Sequence, residues 1–496
     1  MTLKELLAPY GTFPPLPVRG LALDSRRVEP GFLFFALPGI PLPHRKPLDG
    51  HDFIPEAIRR GAVAVVGERP LALPIPYLRV EDGRKALAEV SARFFGHPEK
   101  RLVLVGVTGS KGKSTTSALL HHLLEGAGLK TALLSTVAWR FGQEEAPGVG
   151  HFTTPEAPEV YGFLARAVEL GLSHAVLEVS SHALALKRVD GLSFQVGVFI
   201  NFYPDDHLDF HGSEEAYFQA KALLLERSQK RVLGRTLLDS PFAPLLPERP
   251  GLLFGEGGEV FASRLEETPG GLAFTLHTPF GKGRARLSLL GAYNLENALA
   301  AVGAGLLLGI PLEVLLEGLS TFPGVPGRME VVREEALRGV SDFAHTGKSL
   351  EAALKALRKT TKGRLFLVVG AAGERDARRR TEIGKVAARL ADKSFFTEED
   401  HRTEPLEAIL EALAEAARKE GGWFVLVPDR REAIRLALKE ARPGDTVLLA
   451  GKGHERTLER GNLALPWNER EEALRALAEL GLYASRVPNP GGRKSG

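Results

Sequence analysis

The sequence predicts an α/β architecture in three domains, with a central doubly wound sheet built around a P-loop. Three observations carry that expectation. The run Arg101–Val107 is a continuous apolar strand of the kind buried in parallel sheets, and a Gly-rich turn and a helical segment follow it directly. Strand-like and helix-like segments then alternate along the middle of the chain and again along its last third. The length, 496 residues, corresponds to about three domains at roughly 100–200 residues each.

The elements justify this in order. In the first hundred residues, Leu33–Leu37 and Ala62–Val66 have strand character and Phe53–Arg60 has helical character, with a Gly- and Pro-rich loop between Pro38 and Gly50. The pattern breaks at Gly96-His97-Pro98, which sets a boundary near 98. In the middle section the expected helices are Ser114–Gly126, Glu156–Leu170, Glu214–Arg227 and Asn294–Leu308. The strands between them are Thr131–Val137, His174–Ser180 and Val196–Phe202. Phe322–Gly327 has linker composition and puts a second boundary near 328. The last section repeats the alternation in strands Leu365–Gly370, Ser394–Thr397, Phe424–Val427 and Thr446–Gly451, and in helices Leu406–Glu420 and Arg430–Ala441. This predicts a Rossmann-like C-terminal domain over 329–485, after which Arg486–Gly496 is a loose tail.

Composition removes several chemistries. There is no cysteine, so disulfides, thiolate zinc sites, iron–sulfur clusters and thiol catalysis are excluded. The 64 basic and 61 acidic side chains leave a net charge of +3, which gives no general argument for nucleic acid or a membrane surface. The N-terminus lacks the apolar core of a signal peptide, and no stretch approaches a membrane span. A soluble cytoplasmic protein is expected.

The segment Thr108-Gly-Ser-Lys-Gly-Lys-Ser-Thr115 follows a strand and opens a helix, which is the setting a phosphate-binding loop requires. Gly109 and Gly112 let backbone N–H groups approach phosphate oxygens, and the helix N-terminus adds its positive dipole end. Lys113 would reach the β- and γ-phosphates and Ser114 would offer its hydroxyl to Mg²⁺. The strict pattern asks for Gly at Val107, and Gly106 comes one residue early. The plainer reading is a Gly-rich turn with an incidental lysine.

Two further constellations follow. Glu178-Val-Ser-Ser-His182 ends an apolar strand, where a carboxylate could hold Mg²⁺ through hard oxygens or could simply be solvated. Asn201–Gly212 holds three Asp and two His in a short span, either a metal cluster or a polar loop. Lys221 lies in the apolar helix Tyr217–Leu225, where a lysine ordinarily snorkels to solvent.

Taken together, Thr108–Thr115, Glu178–His182, Asp206-His-Leu-Asp209 and Gly291–Ala301 stand in the order used by the Mur ligases, which build the cytoplasmic peptidoglycan precursor. Gly327-Arg-Met-Glu330, Asp342-Phe-Ala-His345, Gly373-Glu-Arg-Asp376, Asp429-Arg430 and Gly451-Lys-Gly-His-Glu455 extend the match, as do Asp24–Gly31 and Asp49–Phe53. The chain therefore resembles that family over nearly its whole length, and is most similar to the branch that adds the third peptide residue. The resemblance implies an ATP-dependent amide ligase that joins a diamino acid to UDP-MurNAc-L-Ala-D-Glu through an acyl phosphate. It implies ATP contacts at Thr108, Gly109, Ser110, Lys111, Gly112, Lys113, Ser114, Thr115, Asn294, Asn297, Arg328 and Asp342. Ser25 would touch uridine, and Thr153, Thr154, Ser180 and Arg188 the muramoyl-peptide. Lys113, Glu178, His207 and Lys221 would form the catalytic set. Two Mg²⁺ ions would be held by Ser114, Glu178, His207 and Lys221, the last as a carbamate, which turns a buried cation into an anionic oxygen ligand. A monomer is expected.

Several positions depart from the family pattern. Phe152 stands where Asn usually precedes Thr153-Thr154, Leu186 replaces a Gln, Gly347 replaces a Pro, and one extra residue follows Asn201. The informative departure is Glu399-Asp-His-Arg402, where ligases for meso-diaminopimelate usually show Asp-Asn-Pro-Arg. Arg402 with Arg375 could clamp a carboxylate, favouring meso-diaminopimelate. Asp400 for Asn, amid Glu398, Glu399 and Glu404, favours the distal ammonium of L-lysine or L-ornithine, the direction in which the reading leans, unless these acids merely face solvent. Arg375, Glu399, Asp400, His401, Arg402, Gly451 and Glu455 are the expected amino-acid contacts. Rival readings are folylpolyglutamate synthetase, which would not need residues 1–98, a P-loop ATPase of mechanical or regulatory function, and a non-catalytic muramoyl-peptide binder.

Overall fold

The structure is a computed structural model that describes residues 1–40, 47–146, 153–204, 208–248, 251–334 and 337–482. His207, Asp206 and Phe152, singled out above, lie outside the described residues. The chain forms two compact units, the first comprising Met1–Ser263, Thr275–Ala285 and Glu296–Ser320, the second comprising Arg264–Phe274, Arg286–Leu295 and Thr321–Gly496.

The first unit contains a four-stranded and an eight-stranded sheet. Strands Gly20–Ala22, Phe32–Ala36, Ala64–Gly67 and Tyr77–Arg79 pair in chain order and all in parallel. Helix Gly83–Phe94, which sequence periodicity does not single out, covers them with Ala86, Leu87 and Val90, and Asp82 caps it by accepting from the Lys85 N–H. The larger sheet has eight strands, in the order Leu252–Phe254, Ser228–Gly234, Phe194–Phe199, Val103–Thr108, His174–Glu178, Thr131–Leu134, Trp139–Phe141 and Glu144–Ala146. The last two are antiparallel additions. One buried core runs through both sheets, from Leu6 and Phe35 to Leu104, Leu177 and Phe194.

This topology fixes where a ligand binds. Val103–Thr108 is flanked on both sides by strands laid down later, so the switch point falls at its carboxyl end. Val107 registers with Glu178 and Thr108 with Phe199, which sets three strand ends side by side. Gly106 lets helix Glu214–Glu226 lie close on the central strand, since a Cβ there would stand 2.6 Å from Leu224 Cδ1.

The second unit is a six-stranded sheet in the order Glu330–Glu334, Arg338–Asp342, Thr446–Ala450, Leu365–Val369, Lys393–Phe396 and Phe424–Leu426, parallel apart from its first pair. Alternation divides its side chains between two cores. Leu365, Leu367 and Val369 pack with helices Gly347–Thr360, Arg378–Leu390 and Leu406–Lys419. Phe366 and Val368 pack with helices Arg430–Glu440 and Glu469–Glu479. The α/β class and the doubly wound alternation match expectation in both units. Among the described residues, no helix is long and apolar enough to cross a membrane.

Candidate functional site

The phosphate loop bridges Thr108 to helix Lys113–Gly126. Gly112 adopts φ +84°, and a Cβ there would stand 2.0 Å from Asn297 Oδ1, so no other residue fits. Thr116 donates to the same Asn297 oxygen at 3.4 Å. Asn201, to which the sequence alone assigns no role, clamps the loop from the next strand end. Its carbonyl accepts from the Ser110 N–H at 3.0 Å and its Oδ1 from the Lys111 N–H at 3.0 Å. Lys113 Nζ folds onto the Gly109 carbonyl at 3.0 Å and the Ser110 carbonyl at 3.3 Å, within the concavity that a phosphate would enter.

Glu178 is not solvated: the residue is 2% exposed. Its Oε1 accepts from Ser114 Oγ at 3.0 Å, and its Oε2 from Ser135 Oγ at 2.8 Å and the Thr136 N–H at 2.9 Å. Burial is tolerated because each oxygen has a donor. Lys221 does not snorkel either. It is 1% exposed, and Nζ donates to the Gly109 carbonyl at 2.8 Å while lying 4.6 Å from the Tyr217 ring centre. Hard oxygens from Ser114 and Glu178 stand side by side at the head of the loop, which suits Mg²⁺. As an ammonium, Lys221 offers no lone pair to a metal; as a carbamate it does.

Beside Glu178, the substrate-side residues interlock. Thr154 Oγ1 donates to the Glu178 carbonyl at 2.8 Å and accepts from the Ser180 N–H at 3.0 Å. Arg188 donates to the Thr154 carbonyl at 3.0 Å and pairs with Glu156 at 2.7 Å. Thr153 is half-buried. His211, on the short helix Leu208–His211, meets Ser181 Oγ at 3.0 Å and packs near the His182 ring. Burial first, then the nearby His182 and Lys221, push its imidazole down to about 4, so it is neutral at pH 7. Ser25 is buried beside Asp24, which caps its turn by accepting from the Arg26 N–H.

In the second unit, Asn294 donates to the Leu290 carbonyl at 2.8 Å. Asp342 is enclosed, accepting from the Met329 and Ala344 N–H groups, and burial raises its carboxyl above the usual range. Arg328 lies 4.8 Å from the Phe343 ring centre.

A cavity of about 130 Å³ in this unit is lined by Phe343, Arg375, Arg379, Glu399, Asp400 and Arg402, among others. The acidic run does not face solvent, since Glu398, Glu399 and Asp400 are all buried. Most of its charges are already spoken for. Asp400 accepts from Lys452 Nζ at 2.8 Å and the Glu459 N–H at 2.8 Å. Arg402 donates to Glu459 at 2.8 Å and to the Gly373 carbonyl at 2.7 Å. Glu404 takes both arms of Arg380, and Lys452 also pairs with Glu455. His401 meets the Glu404 carbonyl at 3.2 Å. Glu399 differs, because its buried Oε2 has no hydrogen-bond partner and burial pushes its carboxyl up to about 7. Arg375 and Arg379 are exposed at the cavity wall.

Gly451 sits against Glu399 at φ +106°, and a Cβ there would stand 2.6 Å from Glu399 Oε2. Gly451→Ala therefore strains the backbone and displaces that carboxylate. The expected result is a KM for the amino acid raised roughly tenfold with the KM for ATP unchanged, read by steady-state kinetics.

The chain is similar to known proteins along nearly all of its length. Residues 17–95 match the Mur ligase family catalytic domain, 107–305 the Mur ligase middle domain and 327–453 the Mur ligase glutamate ligase domain. The UDP-N-acetylmuramyl-tripeptide synthetase of Deinococcus radiodurans is 46% identical over 475 residues, covering 93% of this chain and 95% of that protein. The UDP-N-acetylmuramoyl-L-alanyl-D-glutamate–2,6-diaminopimelate ligase of Geobacillus kaustophilus is 39% identical over 473 residues, covering 93% and 95%. A solved structure of such a 2,6-diaminopimelate ligase superposes with a TM-score of 0.67 at 29% identity, covering 97% of this chain and all of that one.

Proposed function

Because this chain belongs to the Mur ligase family, we propose that it is the ATP-dependent ligase that adds a diamino acid to UDP-MurNAc-L-Ala-D-Glu in cytoplasmic peptidoglycan precursor synthesis. The similarity to the tripeptide synthetase of D. radiodurans over nearly both chains carries the choice of step. The domain boundaries fall near 98 and 328, and the enzyme acts as a monomer.

The chemistry must activate a carboxylate, since oxide is a poor leaving group. The γ-carboxylate of D-glutamate takes the γ-phosphoryl group of ATP, ADP leaves, and an acyl phosphate results. The amine of the diamino acid, having lost a proton, attacks the acyl carbon, and phosphate leaves as the amide forms. Lys113, released from Gly109 and Ser110, neutralises charge on the transferring phosphoryl group. The loop N–H groups and Asn201 orient the phosphates. Ser114, Glu178, His207 and carbamylated Lys221 would hold magnesium, which supplies further neutralisation of phosphate charge. Thr153, Thr154, Ser180 and Arg188 place the D-glutamyl carboxylate, Ser25 the uridine, and Asn294, Asn297, Arg328 and Asp342 the adenine nucleotide.

For the amino acid we infer L-lysine or L-ornithine ahead of meso-diaminopimelate. Both sequence cues, Asp400 and Arg402, are occupied by Lys452 and Glu459. The remaining groups are the Glu399 carboxylate and the guanidinium groups of Arg375 and Arg379, which suit one ammonium and one carboxylate. The second carboxylate of meso-diaminopimelate would have to share Arg375 and Arg379 with the first or draw Arg402 from Glu459. A phosphate-release assay with UDP-MurNAc-L-Ala-D-Glu and a panel of amino acids tests both levels. Release should depend on L-lysine or L-ornithine. Dependence on meso-diaminopimelate alone would overturn the amino-acid assignment, and no dependence on any diamino acid would overturn the function.

A further inference from the structure

The second unit holds a polar cluster that no step above uses. Arg430, at the start of helix Arg430–Glu440, is 0% exposed, as is Glu469, the first residue of the helix Glu469–Glu479. Arg430 Nε lies 3.0 and 3.1 Å from the two Glu469 oxygens. Trp467 Nε1 donates to the same carboxylate at 2.7 Å. A wholly buried ion pair is costly unless its remaining donors are met. Those donors reach two particular carbonyls, Glu398 at 3.2 Å and Ala450 at 2.7 Å. The Arg430 N–H also donates to Glu398 Oε1 at 3.2 Å.

Glu398 and Ala450 immediately precede Glu399, which lines the cavity, and Gly451, where a Cβ would stand 2.6 Å from Glu399 Oε2. We propose that Arg430, locked by Glu469 and Trp467, is a positioning residue that clasps these two backbones together and so sets Glu399 to receive the distal ammonium of the amino acid. This rests on the reading of the cavity as the amino-acid site. Arg430 acts through Glu399 and does not touch the substrate.

The groups facing Glu399 define its charge state. Asp400 lies on its own loop, Lys452 and Glu455 follow the strand Thr446–Ala450, and Arg430 comes from the neighbouring helix. His345, Arg375, Asp376, Arg379, Arg380 and Arg402 share the cavity wall. Burial pushes Glu399 up, and Arg430 is the largest charge opposing that push. Removing Arg430 should make Glu399 harder to ionise, and removing the charge of Glu469 should make it easier.

The test reads calorimetric binding of L-ornithine from acid to mildly alkaline pH, alongside phosphate release, in wild type, Arg430→Gln and Glu469→Gln. Arg430→Gln should weaken ornithine binding about tenfold and leave the KM values for ATP and the sugar nucleotide unchanged. The acid limb of binding should move to higher pH in Arg430→Gln and to lower pH in Glu469→Gln. Mere loosening of the fold would move both the same way. Should Arg430→Gln fail to fold, the downward shift in Glu469→Gln decides. Coincident limbs, shifts in one direction, or a parallel rise of all three KM values overturn the clasp. Clasp-dependent binding without phosphate release would leave the clasp standing and overturn the ligase reading; release insensitive to both variants does the reverse.

Discussion

Lys221→Ala should lower the ligase rate by roughly 10²–10³-fold, and short carboxylic acids such as formate or acetate should restore part of it. The expectation starts from burial: a lysine amine 1% exposed, aimed at the Gly109 carbonyl of the nucleotide loop, is placed to act on phosphate chemistry. An ammonium there can only donate. Reaction of the neutral amine with carbon dioxide would form an N–C bond, release a proton and leave an anionic carbamate, whose oxygens would suit magnesium. Alanine removes both the nitrogen and its modification, and leaves a void into which a small carboxylate fits. Phosphate release with and without added acid reads the effect. Labelled bicarbonate followed by carbon NMR should show a carbamate signal in wild type that Lys221→Ala lacks. An alanine variant that keeps the full rate overturns the assignment.

Lys113→Ala should lower the rate by about 10³-fold while hardly moving Tm. The side chain is half-buried, and its bonds to the Gly109 and Ser110 carbonyls go to groups that water can serve. Folding therefore loses little. Phosphoryl transfer loses the positive charge at the start of helix Lys113–Gly126. Asn201→Ala makes a useful contrast, since it frees the Lys111 N–H and should raise the KM for ATP more than it lowers kcat. A Lys113 variant that transfers phosphate normally would remove the loop from the mechanism.

The periodic parts of the chain are legible in its residues. The apolar run Arg101–Val107 and the helices after it lie where the spacing puts them, because hydrophobic period and backbone geometry agree there. Short strands such as Gly20–Ala22 and Tyr77–Arg79 are not, since three residues carry too little pattern. Phosphate-loop residues are legible because local backbone geometry demands Gly and Lys at fixed spacing. The surroundings of Glu178 and Lys221 are hidden, because burial depends on which helix crosses which strand. The pairing of the acidic run at 398–400 is hidden for the same reason: the partners of Asp400 and Arg402 are Lys452 and Glu459, more than fifty residues away in sequence. Charge type is written in the sequence, whereas charge compensation is a property of contacts.

The double role of Glu178 has a thermodynamic consequence. Its carboxylate holds Ser114 of the nucleotide loop and its carbonyl holds Thr154 on the substrate side. A ligand that shifts one end of this residue can be felt at the other, since both bonds belong to one buried side chain and its own backbone. Linkage makes that communication reciprocal: the factor by which nucleotide alters affinity for the muramoyl-peptide equals the factor by which the muramoyl-peptide alters affinity for nucleotide. If the two sites are coupled through Glu178, a Thr154→Val enzyme, with its hydroxyl gone, should show a smaller effect of each ligand on the affinity for the other, read by calorimetry of one ligand with and without the second.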